Sequence, residues 1–161
     1  MTKRKYRQGF ALIEVVITAS VFLVVILGLA GTYAIAVKAS LENVTKVKAT
    51  FLEEEGLEAV RLMRDLSWAD NIATQVTGVP FYLVFDGATW TAVATSDFIG
   101  GIFERKITLT DVYRDSSQNI VSSGGTLDPN IKKVTSAVSW FSRGATTTRS
   151  LSTYLTNVFD N

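Results

Sequence analysis

Glu14 is the one charged side chain in the 28 residues from Phe10 to Val37. A charged carboxylate costs about 2.5–3.5 kcal/mol at the centre of a membrane-spanning helix, and less toward the interface. A residue that persists at such a cost is a functional candidate, and its chemistry is the pairing of its charge with a cation. Phe10 stands four residues before it, and before that a short leader, Met1–Gly9, carries Lys3, Arg4, Lys5 and Arg7 and no acid and ends at Gly9. Such Lys/Arg excess marks a flank that stays cytoplasmic, so the chain beyond Lys38 is expected outside.

The other acidic candidates are weaker. Glu53, Glu54, Glu55 and Glu58 occupy positions that point around a helix, so they form no paired-carboxylate acid/base site. Their expected role is a solvated face or charges at a subunit contact. Asp115 and Asp128, with Pro129, lie in a polar stretch from Arg114 to Asn130. A calcium site would need several converging oxygens, and two aspartates so far apart leave this stretch as a plain loop. Asn43-Val44-Thr45 fits a glycosylation sequon but falls within a helical pattern.

What is missing excludes more. With no Cys and no His, thiol nucleophiles, Ser-His-Asp sets and the usual zinc sites are ruled out. There is no phosphate-cradling Gly loop and no G-x-S-x-G. The expectation is a protein that is not an enzyme and holds no cofactor or metal, with an exported part that folds without disulfides. The net charge is +1, and loss of the four leader cations takes the side chains to −3. That balance gives no electrostatic footprint for nucleic acid.

These residues must be positioned by one long element. The segment 10–37 is apolar enough to cross a bilayer, since as a helix it would be roughly 42 Å long against a hydrocarbon core of about 30 Å. Gly28 and Gly31 each weaken helix by nearly 1 kcal/mol relative to Ala, so they supply either helix flexibility or close packing between helices. Beyond Lys38, Leu41, Val44, Val47, Phe51/Leu52, Ala59/Val60, Leu62/Met63 and Leu66 recur at spacings of three and four, an amphipathic pattern. Glu42 with Lys46, Glu58 with Arg61, and Arg61 with Asp65 are spaced to pair along it. One helix is therefore predicted over 10–66, and Ser67–Gly78 reads as a polar, irregular turn.

After that turn the period becomes two. Strands are predicted at Pro80–Phe85, Thr89–Ala94, Phe103–Tyr113, Lys132–Phe141 and Thr146–Val158. Asp86-Gly87, Gly100-Gly101, Ser122–Gly125 and Arg143-Gly144 separate them with turn chemistry. Val134, Val138 and Trp140 alternate with Lys133, Thr135 and Ser139, as Ile107 and Leu109 do with Lys106, Thr108 and Thr110. Leu151 and Leu155 are expected on one face, and Trp90 and Trp140 in the core. The result is an α+β chain with an antiparallel sheet, about 79–158, laid on the second half of the helix.

Gly9-Phe10-Ala11-Leu12-Ile13-Glu14, running into an unbroken apolar helix, resembles the class III signal of type IV prepilins and type II secretion pseudopilins. The resemblance covers about thirty residues. It implies cleavage by prepilin peptidase between Gly9 and Phe10, N-methylation of Phe10, and Glu14 as mature residue five with a role in assembly. It further implies a single-pass protein of the inner membrane, N-terminus inside, that enters a cell-surface or periplasmic filament. Its partners would be the peptidase, other pilin or pseudopilin subunits, the inner-membrane assembly platform and the lipid bilayer. Major pilins often carry proline where this chain has Gly31, and that departure, with the missing disulfide, points to a minor pilin or pseudopilin. On this reading the chain divides into leader 1–9, assembly segment 10–37 and exported pilin-like domain 38–161, whose amphipathic helix is 38–66. The alternatives are a single-pass anchor for a binding domain that never polymerises, and a DNA-uptake (competence) pilin.

Overall fold

The computed structural model describes residues 6–96 and 98–159, with side chains from Ala11 onward. Leader residues 1–5 thus lie outside the described residues, and the Gly9–Phe10 junction is described by its backbone alone. Helix α1 spans Tyr6–Leu66. It starts inside the leader, earlier than expected, and ends at the expected residue. No proline precedes Pro80 to break it, and it runs without interruption through Gly28 and Gly31. Contacts divide the chain into two compact units, Met1–Thr45 and Lys46–Asn161.

In the first unit every side chain from Ala11 to Leu41 is exposed. The most apolar 18-residue window has a mean hydropathy of 2.7, and none of it is buried by the protein. Hydroxyls within it fold back onto the helix. Thr18 donates to the Glu14 carbonyl at 2.7 Å, Ser20 to that of Val16 at 2.7 Å, and Thr32 to that of Gly28 at 2.9 Å. Each polar group is thereby satisfied within its own helix, as an apolar surrounding requires.

In the second unit α1 buries Ala49, Glu53, Gly56, Leu57, Val60 and Met63. Val47, Phe51, Leu62 and Leu66, expected on the covered stripe, instead remain 48–63% exposed. The sheet takes the ridge with the small residues because that ridge can come closest. A Cβ on Gly56 would lie 2.5 Å from Ser136 Oγ, 3.0 Å from Arg105 Cδ and 3.1 Å from Ile107 Cδ1. Along the exposed flank Arg61 pairs with Glu58 at 3.0 Å, as spaced, whereas Asp65 is held by its neighbour Arg64 at 2.7 Å and not by Arg61.

The turn after α1 is more ordered than its polarity suggested. A π-helical turn spans Ala69–Ala73, and Trp68 and Ile72 are buried. Asn71 Nδ2 donates to the Met63 carbonyl at 2.9 Å, satisfying one of the acceptors left open at the end of α1.

Seven strands follow: β1 Tyr82–Phe85, β2 Trp90–Val93, β3 Phe98–Ile99, β4 Phe103–Arg114, β5 Ile120–Val121, β6 Thr126–Ser142 and β7 Ala145–Thr156. All pairings are antiparallel. β1 and β2 form a hairpin, and the larger sheet has the order β3-β4-β6-β7 with β5 also on β4. The outer side of β4 is closed piecemeal. β3 pairs at its start, Phe81 exchanges two 2.9 Å backbone bonds with Ile107, Gly78 donates to the Leu109 carbonyl at 2.8 Å, and β5 pairs at its end.

The five predicted strands are present within a few residues except β6, and two were missed. The stretch 114–130, expected to be a plain loop, holds β5 and the start of β6. There the β4–β6 register jumps between Asp111, opposite Lys132, and Val112, opposite Asp128. Pro129 sits in that bulge, where its missing N–H costs no ladder bond. Arg143 and Gly144, both with positive φ (54° and 82°), close the β6–β7 hairpin in the conformation such two-residue turns need.

The core has two parts. Leu57, Val60, Met63, Trp68 and Ile72 pack with Phe81, Ile107, Leu109, Val134 and Leu155, while Ala49 packs with Phe103, Val138 and Trp140. Trp140 is in the core as expected. Trp90 is half-buried beside it, and Leu151 is exposed although it shares its face with buried Leu155.

Candidate functional site

Glu14 lies on α1 four residues after Phe10, one helical turn away. Its side chain is exposed and borders a shallow groove with Ala11, Val15, Thr18, Ala19, Phe22 and Leu23. Among the described residues its carboxylate has no ion-pair partner. A charge on an apolar surface, with nothing among the described side chains to neutralise it, is open to a cation from elsewhere. The apolar residues around it are as bare, with Val15 66%, Phe22 65% and Leu23 60% exposed. This part of α1 can therefore do one thing well. It can bury itself in lipid or against similar helices, with a cation delivered beside Glu14. Gly28 and Gly31 have no atom within 4 Å of an added Cβ, so neither glycine is needed for packing inside this chain.

A second polar group lies between α1 and the sheet, where sequence reasoning placed only solvent. Glu53 is 2% and Arg105 4% exposed, so the expectation of a solvated acidic run fails at Glu53. Arg105 Nη1 donates to the Leu52 carbonyl at 3.3 Å and pairs with Glu55 at 3.3 Å, and its guanidinium lies 5.3 Å from the ring centre of Trp90. Glu55, too, is therefore engaged. Burial pushes the Glu53 carboxyl above its ordinary range, Arg149 draws it down, and Glu54 pushes it up. Glu53 Oε1, Arg105 Nε and Ser136 Oγ are buried without hydrogen-bond partners. The signal that could have found this group was Gly56, a helix-weakening residue inside a strong helix. The cluster is buried and joins helix to sheet.

The aspartates of the 114–130 stretch are occupied locally. Asp115 accepts from the N–H groups of Ser117 and Asn119, each at 2.9 Å, and from Asn119 Nδ2 at 3.3 Å. Asp128 pairs with Arg114 at 2.7 Å and accepts from the Asn130 N–H at 3.0 Å. These bonds hold both carboxyls below the ordinary aspartate range. Among the described residues no three potential metal ligands gather.

Comparison with known proteins reaches the N-terminal segment alone. The prokaryotic N-terminal methylation motif matches residues 4–30, spanning Gly9, Phe10, Glu14 and Gly28. No curated protein and no solved structure matches the chain. The α+β arrangement, a long apolar N-terminal helix and an antiparallel sheet against the helix's later turns, is pilin-like. Residues 4–30 thus resemble the class III signal peptide of type IV pilins, and over that segment the chain is similar to prepilins.

Proposed function

We propose that this chain is a structural, non-catalytic subunit of a type IV pilus or type II secretion pseudopilus, of the minor-pilin or pseudopilin kind. The basic leader holds the N-terminus in the cytoplasm while 46–161 folds outside the inner membrane. Prepilin peptidase cuts after Gly9 and methylates the amine of Phe10. Subunits then leave the bilayer and pack their apolar helices into a filament core, guided by the assembly platform. There Glu14 pairs with the Phe10 ammonium of a neighbouring subunit, which fixes the axial register, while apolar burial supplies most of the affinity. Gly28 and Gly31 let the helix loosen on passing from lipid to filament.

The observation carrying this reading is the Glu14 carboxylate, without a counter-charge among the described side chains and the fifth residue after the cut. Incubation of the full chain with prepilin peptidase, followed by mass spectrometry, tests it. Loss of Met1–Gly9 and a methylated Phe10 are the expected result. An intact leader would leave a plain membrane anchor.

A further inference from the structure

In the unit Lys46–Asn161, Ala49 packs with Phe103, Val138 and Trp140, whereas Leu57, Val60 and Met63 pack with Ile107, Leu109 and Val134. From Lys46 toward Leu66, α1 therefore follows β4 forward and β6 backward. The β3–β4 turn and the β6–β7 hairpin both lie at the end where the chain enters the unit. From Trp140 to Arg143 the strand advances ~10 Å, while α1 from Ala49 back to Lys46 covers only ~4.5 Å, so the hairpin tip reaches the level of the entry point. At this end Phe98, Ile102 and Phe141 are 57%, 55% and 72% exposed, and Phe141 is the most exposed large apolar side chain among the described residues of the unit. They line one concavity with Glu104, Ser139 and Thr146. Phe98 stands opposite Glu104, Glu104 opposite Ser139, and Phe141 opposite Thr146, so these residues share the sheet face turned away from buried Phe103 and Trp140. The Glu104 charge is met locally by Lys106 at 3.0 Å. Lys46, Lys48 and Arg143, all exposed, add cations at the same end.

We propose that this corner of the sheet seats in the headgroup layer of the bilayer that holds residues 10–37, with Phe98, Ile102 and Phe141 turned to the acyl boundary. An exposed apolar patch marks a protein or a membrane contact, and chain connectivity decides for the membrane. Eight residues, 38–45, separate the apolar segment from the unit, and as helix they rise only ~12 Å. The headgroup layer itself adds ~5–7 Å beyond the hydrocarbon on each side. A 28-residue apolar segment is longer than a hydrocarbon core of about 30 Å needs, and such a helix tilts. Tilt toward the sheet lowers its outer corner onto the lipid. There apolar side chains bury at the headgroup–acyl boundary, and the cations beside them meet lipid phosphates. Because the tether holds the corner close to the surface, a contact of a few side chains suffices where it would fail between free molecules. Seating fixes which way the exported unit faces while the chain waits in the membrane. The proposal rests on the membrane anchoring of residues 10–37 within the proposed function, and not on polymerisation.

The chain has no cysteine, so single-cysteine variants of the full chain can carry one environment-sensitive fluorophore each. They are reconstituted in vesicles of phosphatidylethanolamine and phosphatidylglycerol in which some headgroups bear a nitroxide that quenches only nearby fluorophores. Thr146→Cys, at the lip of the corner, should be quenched strongly. Ile120→Cys is the control, 41% exposed and paired with Arg114, ~30 Å along β4 from Glu104, and should not be quenched. F141S/I102S in the Thr146→Cys background changes exposed side chains and should remove most of the quenching. Phe98→Ser stands in if that double variant does not fold. Leu23→Cys, read with nitroxides on the acyl chains, reports the anchoring separately. Quenching at 23 without quenching at 146, equal quenching at 146 and 120, or quenching at 146 that ignores the apolar changes would overturn the proposal and leave the anchor standing. A blue-shifted emission at 146 without nitroxide quenching would mark a second copy on the patch and overturn it as well. No quenching at 23 would remove the anchor, and the proposal with it.

Discussion

Arg149 Nε, on the edge strand β7, lies 3.9 Å from Oε1 of Glu53 on α1. The carboxylate is 3% exposed at its side chain and the guanidinium 49%, so a half-solvated cation faces a buried anion at the outer limit of ion-pair distance. That imbalance makes the helix–sheet joint sensitive to pH. Burial raises the Glu53 pKa above the ordinary 4.5, so the folded protein favours the protonated form. The associated stability is complete below about pH 4.5 and is lost as pH rises through the raised folded value. Glu53→Gln should therefore flatten the fall in melting temperature as pH rises from about 4.5 toward neutrality. Thermal melts of the detergent-solubilised chain across that range check it, and parallel curves for the two proteins would refute it.

The acid limb has the opposite sign. Lys132 Nζ reaches Asp111 at 2.5 Å and Thr77 Oγ1 at 3.3 Å, and that bond first, then the charge of Lys132, depresses the Asp111 pKa below 3.8. Its stabilisation is present above about pH 3.8 and disappears as pH falls through the depressed value. Asp111→Asn should lower the melting temperature at pH 6 and leave it little changed at about pH 2, where wild type has lost the same contribution.

Gly56 fixes how closely α1 lies on β4 and β6. A branched side chain there must displace Ser136, Arg105 and Ile107, so Gly56→Val should destabilise the exported unit by about 1–3 kcal/mol. Gly56→Ala should do less, since the helix gains nearly 1 kcal/mol in propensity and the Ser136 hydroxyl can turn aside. Denaturant midpoints of the two variants give the order, and a Val variant as stable as wild type would remove Gly56 from this role.

Arg105 separates charge from shape. Arg105→Ala strips the cover from Trp90, removes the added donor to the Leu52 carbonyl and leaves a cavity between helix and sheet, a loss of about 2 kcal/mol. Arg105→Met keeps the stem and should cost less, because buried ion pairs are often replaceable by apolar side chains of similar volume. Glu55 is 47% exposed at its side chain and can return to water. Equal losses in both variants would show that the charge matters more than the packing.

At the other end of the chain, Glu14→Ala should reduce incorporation into filaments at least ~10-fold, consistent with loss of one partner of a buried pair. Cleavage after Gly9 should continue. Immunoblots of sheared filaments and of membranes read the two steps apart, and normal incorporation would deny Glu14 its register role.

The sequence was most legible where one period ran long. The end of α1 at Leu66 and the alternation of Ile107, Leu109, Val134 and Val138 came directly from spacing. The covered face of α1 did not, because two apolar ridges compete and only the small residue at 56 reveals which one the sheet can approach. Glu53 read as a surface charge for the same reason, and no spacing in the sequence singled out Arg105. β3 and β5, each two residues long, are too short to show any period and exist as caps on an edge already formed. Pro129 argued for a loop, since nothing in the sequence shows a bulge able to accept it. At the N-terminal end a lone acid in an apolar run needs no tertiary information to be noticed, and the methylation motif at residues 4–30 includes it.

Every strand that covers Val60 and Met63 lies C-terminal to them. During synthesis the membrane end is made first, and the apolar flank of α1 emerges before any of its lid. It stays bare until β4 and β6 have been made, leaving a long window in which a holdase or protease can decide the chain's fate. A nascent chain halted before Thr126 would never close that window.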